Sequence, residues 1–202
     1  MWLDWRRMER TGLRQAQESV RDLFDRTGRF RFYSGCLIPG PVQTAPYVRA
    51  LLSALRDRRG LIDDVEAATA ERMSRQRMIG RGDHRLALVL EESALRARIG
   101  SPGVMAGQLG HLLSVAALPW VSIGVIPLSA DRSVLHGVEM FFLFDDDQVN
   151  ELVSGFLTIT QPREVAMYAR LFEELAGQAV YGAAARRLIT LAIDALELSP
   201  AQ

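Results

Sequence analysis

The chain has 202 residues, 49% of them hydrophobic, and equal numbers of basic and acidic side chains give it a formal net charge of zero. A chain of this length and apolar content can bury a sizeable core and is too apolar to be disordered, so we expect one domain over residues 1–202. A lone cysteine, Cys36, excludes an internal disulfide, and no apolar run is long enough for a signal peptide or a membrane span. These features predict a cytoplasmic protein without membrane contacts.

The two halves of the chain carry opposite net charge. Residues 1–100 contain 19 basic and 13 acidic side chains, whereas residues 101–202 contain 5 and 11. The halves can fold against each other, which is the simpler interpretation, or the basic half can offer a face to an acidic partner. Because the total charge is zero, we expect no direct binding of nucleic acid by this chain.

The N-terminal segment mixes arginine and glutamate with apolar residues at spacings of three to five. This periodicity predicts one amphipathic helix over residues 2–26, which Gly28 ends. The segment RFRFYSGCLI then has the alternation of a short strand. The apolar positions of the predicted helix are Trp5, Met8, Leu13, Ala16, Val20, Leu23 and Phe24.

A turn, PGPVQT, connects this strand to two further helices. Pro46 lies where a first-turn proline is tolerated and begins the helix YVRALLSALRDRRG, which Gly60 ends. Asp63 or Asp64 is the expected N-cap of the next helix, VEAATAERMSRQRMI.

The composition changes at residue 85, where runs rich in β-branched and aromatic residues begin. They predict strands at residues 85–92, 120–127, 138–144 and 147–153, with the helix PGVMAGQLGHLLSVAAL between the first two. Two amphipathic helices complete the chain. The order of elements predicts an α+β fold, in which a mostly antiparallel sheet of about four to five strands packs against N-terminal and C-terminal helices.

Sequence signatures of common enzymes are missing from the chain. It contains no glycine-rich phosphate loop and no G-x-S-x-G nucleophile elbow. The three histidines, His84, His111 and His136, lie about 25 residues apart, without a helical or cysteine partner for a metal. We therefore expect neither a metal ion nor a cofactor.

Polar residues inside the apolar elements are the candidates for a ligand-binding site. Burial of such groups costs free energy unless each is paired, so several of them on one face of the sheet predict a polar-lined pocket. The alternative is structural: Glu92 pairs with Arg96, or the strand residues face water. The candidate ligand-binding residues are Glu92, Arg96, Gln108, His111 and Glu151.

Six segments occur together in an order and spacing that resembles a known family. They are WRRMERTGLRQAQESV, LIPGPVQTAPYVRALL, VEAATAERMSRQRMI, LVLEESALRARIGSPGVMAGQLGHLL, IGVIPL and PREVAMYARLFEELAGQA. The chain resembles, over nearly its whole length, the domain of unknown function 5753, which is the C-terminal domain of actinobacterial WhiJ-like regulators. In that family an XRE-type helix-turn-helix precedes the domain.

The resemblance implies a non-catalytic effector domain of a transcriptional regulator, which binds a small molecule or, in an antitoxin-like arrangement, a small partner protein. The helix-turn-helix is absent from this sequence, so the chain is expected to be an excised effector domain or a stand-alone descendant. A basic run would suit an acidic partner, although a solvated helix face is the commoner explanation. This run consists of Arg72, Arg75, Arg77, Arg81 and Arg85.

A stand-alone descendant could instead be an enzyme of secondary metabolism, a cyclase or isomerase that positions its substrate in the former sensor pocket. Glu139 stands where the family usually has an aromatic residue, and an apolar strand would raise its pKa toward neutrality. Under this alternative Glu139 is the general acid or base, with His136, Glu92 or Glu151 as its orienting partner. The competing interpretation is that Glu139 faces solvent from an edge strand.

The corner before the helix at Pro46 resembles the family's proline-glycine-x-x-Gln-Thr signature, with Pro41 and Val42 in place of two leucines. Side chains such as Gln43 and Thr44 commonly bond to the backbone of turns. We therefore expect them to fasten the first helices to the sheet rather than to touch a ligand.

The N-terminal aromatic residues carry an expectation about assembly. Trp2, Trp5 and Met8 open a helix that, in the family, continues from another domain. Freeing that end would leave an apolar surface, which predicts a homodimer. The alternative is that both tryptophans pack on the sheet of their own chain.

Overall fold

The structure is a computed structural model that describes residues 2–4, 12–79, 84–145, 147–152 and 155–197. Within these residues, seven strands form one sheet: β1 (Trp2–Asp4), β2 (Arg29–Ser34), β3 (Arg85–Glu91), β4 (Val121–Ile126), β5 (Phe141–Phe144), β6 (Asp147–Leu152) and β7 (Gly155–Ile159). The α-helices are α1 (Leu13–Glu18), α2 (Arg21–Arg26), α3 (Ala45–Arg59), α4 (Val65–Ile79), α5 (Glu92–Arg96), α6 (Pro102–Val115), α7 (Pro162–Gln178) and α8 (Gly182–Glu197). A short 3-10 helix, Gly40–Val42, precedes α3.

The strands follow the order β1-β7-β6-β5-β2-β3-β4 across the sheet. β2 pairs in parallel with β3, and β3 with β4, whereas the other pairings are antiparallel. The parallel pairs need long crossovers, which α3 and α4 supply between β2 and β3, and α6 supplies between β3 and β4. The sheet is therefore mostly but not purely antiparallel. This confirms the predicted α+β fold, with more strands than the four to five expected.

The two faces of the sheet bury different apolar clusters, because successive side chains of a strand point to opposite faces. On one face, Tyr33 and Phe141 pack with Phe172 of α7. On the other face, Phe32 and Leu88 belong to a cluster that includes residues of α3, α6 and α8. Helices from both halves of the chain therefore meet on this second face.

The N-terminal helices form a small bundle beside the second face. α1 and α3 each pack against α4. α3 begins with Pro46 in its first turn and ends at Gly60, whose φ of 63° is the left-handed conformation of a helix C-cap, as predicted. The apolar cluster of the bundle consists of Leu13, Val48, Leu52, Val65 and Ala68.

The prediction of one helix over residues 2–26 is wrong. Trp2–Asp4 forms β1 instead, and it pairs with β7 through a register that places Trp2 opposite Leu157. The helical part is divided into α1 and α2 by a short turn. α1 begins after Gly12, whose φ of 108° favours glycine. Periodicity reports only neighbours along the chain, so it cannot show a pairing between distant strands.

The homodimer prediction depends on side chains outside the described residues. Trp5 and Met8 lie outside the described ranges, and so does the side chain of Trp2. The prediction stays a prediction.

The strand boundaries agree with the prediction to within one residue for β3, β4 and β6, and they differ for β5. β5 begins at Phe141 rather than at residue 138, so Glu139 lies in the irregular segment before it. β3 ends at Glu91, and Glu92 begins α5 instead of closing the strand. β7 is missing from the prediction, because it is short and begins at Gly155, a residue type that weakens strands.

None of the helices in the described ranges combines the length and the hydropathy that a membrane crossing requires. The single domain and the cytoplasmic location stay predictions.

Candidate functional site

A cavity of about 440 Å³ lies between the N-terminal helices and the second face of the sheet. Its sheet side is formed by three aromatic side chains, Phe32 of β2 and Phe142 and Phe144 of β5. The volume is in the range of about 300–1,000 Å³ that is typical of small-molecule sites. The cavity is therefore the candidate functional site of the described residues.

Two helices turn one face toward this cavity. Residues three or four apart lie on one side of a helix, and the lining residues of α1 and α3 follow this spacing. Small side chains among them leave room between the helices and the sheet. These residues are Leu13, Ala16 and Gln17 on α1, and Leu51, Ala54, Leu55 and Arg58 on α3.

Arginines supply the charge of the cavity. Arg58, Arg59, Arg72 and Arg75 all line it, and no acidic side chain occurs among its described lining residues. Arg75 is only 6% exposed, whereas Arg58, on the outer part of α3, is exposed. The cavity therefore combines apolar walls with positive charge.

Arg75 is held by one residue of α1. Its two terminal nitrogens donate to the backbone oxygen and, at 2.6 Å, to the side-chain oxygen of Gln17. Its Nε is buried without a hydrogen-bond partner among the described residues, and its guanidinium carbon lies 5.2 Å from the ring centroid of Phe24. The pKa of Arg75 is lowered to about 10, mainly because the group is buried and, to a smaller extent, because the positive charge of Arg72 is near.

Arg72 connects the same α1 residue to the corner before α3. Its Nε donates to Gln17 Oε1 at 3.0 Å, and one terminal nitrogen donates to Gln43 Oε1 at 2.8 Å. Gln17 Oε1 thus accepts from both guanidinium groups. Two cations are held side by side through the oxygen of one neutral amide.

Side-chain amides fix the backbone of the corner, residues 38–44, which forms another wall of the cavity. Gln43 Nε2 donates to the oxygen of Ile38 at 2.7 Å, and Gln76 Nε2 donates to the oxygens of Gly40 and Gln43. Gln43 thus bonds to the backbone of the corner itself, and it also lines the cavity, so its role in fastening the helices to the sheet stays a prediction. Thr44 takes part through its backbone N–H, which donates to Gln108.

The predicted ligand-binding residues lie elsewhere. Glu92 and Arg96 form an ion pair of 2.6 Å at the end of β3, and Glu92 also accepts from the N–H of Leu128. Gln108 is fully buried and bonds to the corner from behind the cavity wall. His111 is half-buried on α6, where burial lowers its pKa. None of these four side chains is in the described cavity lining, and their ligand-binding roles stay predictions.

The residues of the enzyme alternative are placed apart from the cavity. Glu139 and His136 are both exposed in the segment before β5, and Glu139 accepts a hydrogen bond of 3.0 Å from Tyr168. The premise that Glu139 is within an apolar strand is therefore wrong, although its catalytic role stays a prediction. Glu151 belongs to β6, but its side chain lies outside the described residues.

The described residues bring no three His, Cys, Asp or Glu side chains together in an arrangement that could hold a metal ion. The polar groups of the cavity are instead guanidinium and amide groups, which suit an oxygen-bearing organic molecule.

Part of the lining was visible in the sequence, but its role was not. The apolar positions of the predicted N-terminal helix from Leu13 to Phe24 all line the cavity. An apolar helix face that lines a cavity has the same periodicity as one that packs tightly. Arg72 and Arg75, three residues apart, were the available signal for the polar part of the site.

The comparisons with known proteins include a distant structural likeness. Curated proteins give no match to this chain. A matching solved structure is that of TrmBL2, an archaeal chromatin protein, which is described as showing a novel mode of DNA binding. The match has a TM-score of 0.41 and 11% identity, and it covers 81% of this chain and 46% of that chain. At this TM-score and identity the match supports no conclusion about the present chain, which spans less than half the length of TrmBL2.

The expectation that this chain makes no direct contact with nucleic acid rested on its net charge alone, and a DNA-binding protein is among the matching structures. The expectation is withdrawn, and no DNA-binding role is assigned in its place.

The comparison with protein families gives a match over most of the chain. The model of the domain of unknown function DUF5753 matches residues 18–191, most of the chain, and the protein therefore belongs to the DUF5753 family.

Proposed function

We propose that this chain is a non-catalytic effector domain, which binds a small and mostly apolar molecule in the cavity between its N-terminal helices and the sheet. The observation that carries this proposal is the cavity itself, with a volume of about 440 Å³ and walls of leucine, alanine and phenylalanine. A regulatory context is what the resemblance to WhiJ-like regulators implies.

The short helices α1 and α2 beside the cavity could change their stability when a ligand binds. α1 and α2 have six residues each, well below the roughly 12–15 residues at which isolated helices become even marginally stable. Their order depends on packing against α4 and the sheet. A ligand that fills the cavity adds apolar contacts to both helices, so binding stabilises this part of the chain.

The first experiment uses N-phenyl-1-naphthylamine, a neutral probe whose fluorescence rises in apolar surroundings. We expect saturable binding to the wild-type chain. Ala54→Trp places a large side chain from an exposed position of α3 into the cavity lining, and it should weaken probe binding about tenfold or more. Ala70→Trp, at an exposed position of α4 outside the lining, is the matched control and should bind like the wild type.

Hydrogen exchange then tests the response of the helices. The probe should slow amide exchange in residues 13–26 more than in the sheet strand β3, because only the former residues depend on the filled cavity for their packing. Failure of the wild type to bind the probe, or equal binding by Ala54→Trp and Ala70→Trp, would overturn the proposal.

A further inference from the structure

We propose that the ligand of this cavity is an aromatic molecule, whose ring system binds against the phenylalanine side chains that line it. This inference rests on the proposed function and adds the chemical class of the ligand.

Phenylalanine rings are concentrated at the cavity. Four of the eight phenylalanines of the sequence are among its described lining residues, which here are called the aromatic wall: Phe24 of α2, Phe32 of β2, and Phe142 and Phe144 of β5. The lining residues of α3 are instead leucine, alanine and arginine. The aromatic rings therefore form a continuous surface on the sheet side, and the α3 side is aliphatic.

The rings of the aromatic wall meet edge to face. The centroids of Phe32 and Phe142 are 4.7 Å apart at an interplanar angle of 65°, and those of Phe32 and Phe144 are 5.3 Å apart at 62°. Phe24 joins the series through Phe144, at 5.4 Å and 61°. Such pairs bring the positive edge of one ring to the negative face of the next, and they gain more than burial of the same area alone. An aromatic ligand can extend this series, whereas a saturated ring lacks the charge distribution to do so.

The two ends of the series offer ring surface to a ligand. Phe24 and Phe142 are half-buried, whereas Phe32 and Phe144, which lie between them in the series, are only 1% and 5% exposed. The fully buried ring of Phe30, outside the described lining, supports the inner pair from behind, with centroid distances of 6.0 Å to Phe32 and 5.8 Å to Phe144. The aromatic wall is therefore held in place without a ligand, so little side-chain freedom is lost when one binds.

A thioether adds to this surface. Met140 lies two residues before Phe142 and also lines the cavity, and its sulfur accepts a hydrogen bond of 3.3 Å from the hydroxyl of Ser34. Thioether sulfur makes favourable contacts with aromatic rings, often at the ring edge. Met140 thus provides a further group that favours an aromatic ligand over a saturated one.

The test compares two competitors that differ only in the saturation of one ring. 3-Phenyl-1-propanol and 3-cyclohexyl-1-propanol are each used to displace N-phenyl-1-naphthylamine from the wild-type chain. The cyclohexyl compound is the more apolar, so burial of apolar surface alone would make it the better competitor. We expect the phenyl compound to displace the probe at a concentration about threefold lower or less, because its ring gains contacts with the aromatic wall. Equal or better displacement by the cyclohexyl compound overturns the inference.

A variant then assigns the preference to the rings. Phe142→Leu replaces a half-buried ring by an aliphatic side chain, and it should reduce the ratio of the two displacing concentrations by about twofold or more. Leu51→Ala shortens a half-buried lining residue of α3 and is the control, which should weaken both competitors by similar factors and leave their ratio unchanged. The ratio does not depend on how tightly the probe itself binds. The wild-type comparison needs no variant and stays decisive if Phe142→Leu does not fold.

The outcomes separate this inference from the proposed function. Probe binding that Ala54→Trp weakens, together with equal displacement by the two alcohols, retains the cavity site and rejects its preference for aromatic ligands. A preference that Phe142→Leu leaves as large as Leu51→Ala does shows that the rings are not its source, and this also rejects the inference. Failure of the wild type to bind the probe overturns both proposals.

Discussion

The backbone N–H of Thr44 donates to Oε1 of Gln108 at 2.7 Å, across 64 residues of chain. The other end of the same amide donates from Nε2 to the oxygen of Val42, also at 2.7 Å. Gln108 is fully buried on α6, and it thereby joins this helix to the corner that forms one wall of the cavity. A polar residue on an apolar helix is thus explained by the backbone groups that it satisfies.

Replacement of Gln108 by methionine should therefore destabilise the fold by about 2–4 kcal/mol, since the N–H of Thr44 and the buried oxygen of Val42 lose their partners while the side-chain volume changes little. The free energy of unfolding, measured in urea, checks this expectation. Gln161→Met changes an exposed glutamine before α7 and should stay within about 0.5 kcal/mol of the wild type. A cost for Gln108→Met as small as that of the control would contradict the role assigned to this amide.

Local sequence patterns predict those parts of the fold whose causes are local. α3 begins and ends where Pro46 and Gly60 indicate, because a first-turn proline and a left-handed glycine act within a few residues of the chain. The pairing of β1 with β7 depends on strands more than 150 residues apart in sequence, as Trp2 opposite Leu157 shows. No pattern within either segment specifies the other.

The candidate site depends still more on distant contacts. The pattern of the basic run is typical of a solvated helix face. Arg85 is exposed as this interpretation predicts, but Arg75 is buried. The side chains of Arg77 and Arg81 lie outside the described residues. Arg75 turns inward because α1 packs on α4 and brings Gln17, 58 residues away, against its guanidinium. The sequence shows the arginine but not the helix that covers it.

The start of α1 provides a second prediction. Asp64, which precedes α4, accepts hydrogen bonds from the N–H groups of Leu13 and Arg14 at 3.0 and 2.9 Å, and so it caps α1 across the bundle. A Cβ at Gly12 would lie 2.4 Å from the same carboxylate, at a φ that side chains rarely adopt. Asp64→Ala should cost about 0.5–2 kcal/mol, as loss of a cap does, and Gly12→Ala about 1–3 kcal/mol.

A double-mutant cycle tests whether these two residues act through one contact. The double variant should cost less than the two single variants added together, because removal of the carboxylate also removes the clash with the new Cβ. Asp63→Ala is the control, since Asp63 is 70% exposed and pairs with Arg56 at the surface. Strict additivity in urea unfolding would show that Asp64 does not occupy the position that the structure gives it.

The third prediction concerns Gly124 on the edge strand β4. A Cβ there would lie 2.7 Å from the ring of Tyr181 and 2.9 Å from the Cβ of Ala179, in the connection between α7 and α8. This connection is bound to the strand by two backbone hydrogen bonds between Val125 and Val180, so it cannot withdraw easily. Gly124→Ala should cost about 1–3 kcal/mol, because the added methyl overpacks the contact.

The matched control for this substitution is Gly107→Ala on an exposed position of α6, where nothing lies within 4 Å of the added Cβ. It should stabilise the protein by about 0.5–1 kcal/mol, since alanine favours helix. Thermal unfolding of both variants gives the comparison. If the two changes shift the melting temperature in the same direction, the tight approach of Tyr181 to Gly124 is not a feature of the protein.

The last prediction is a pH dependence that arises from Glu92. Burial opposes ionisation of this carboxyl, but the hydrogen bond from the N–H of Leu128 and the guanidinium of Arg96 outweigh it and lower the pKa below its ordinary value of 4.5. A lowered pKa in the folded state means that the ionised group stabilises the fold fully above the ordinary value. This contribution is lost as the pH falls through the lower, folded value.

Glu92→Gln should therefore cost about 1–2 kcal/mol at pH 7, and the difference from the wild type should shrink once the pH is below 4.5. Urea unfolding across this range measures both quantities, with the exposed Glu173→Gln on α7 as a control that should differ little from the wild type at either pH. A cost that persists unchanged in acid would show that Glu92→Gln acts through shape rather than through the charge that binds Arg96.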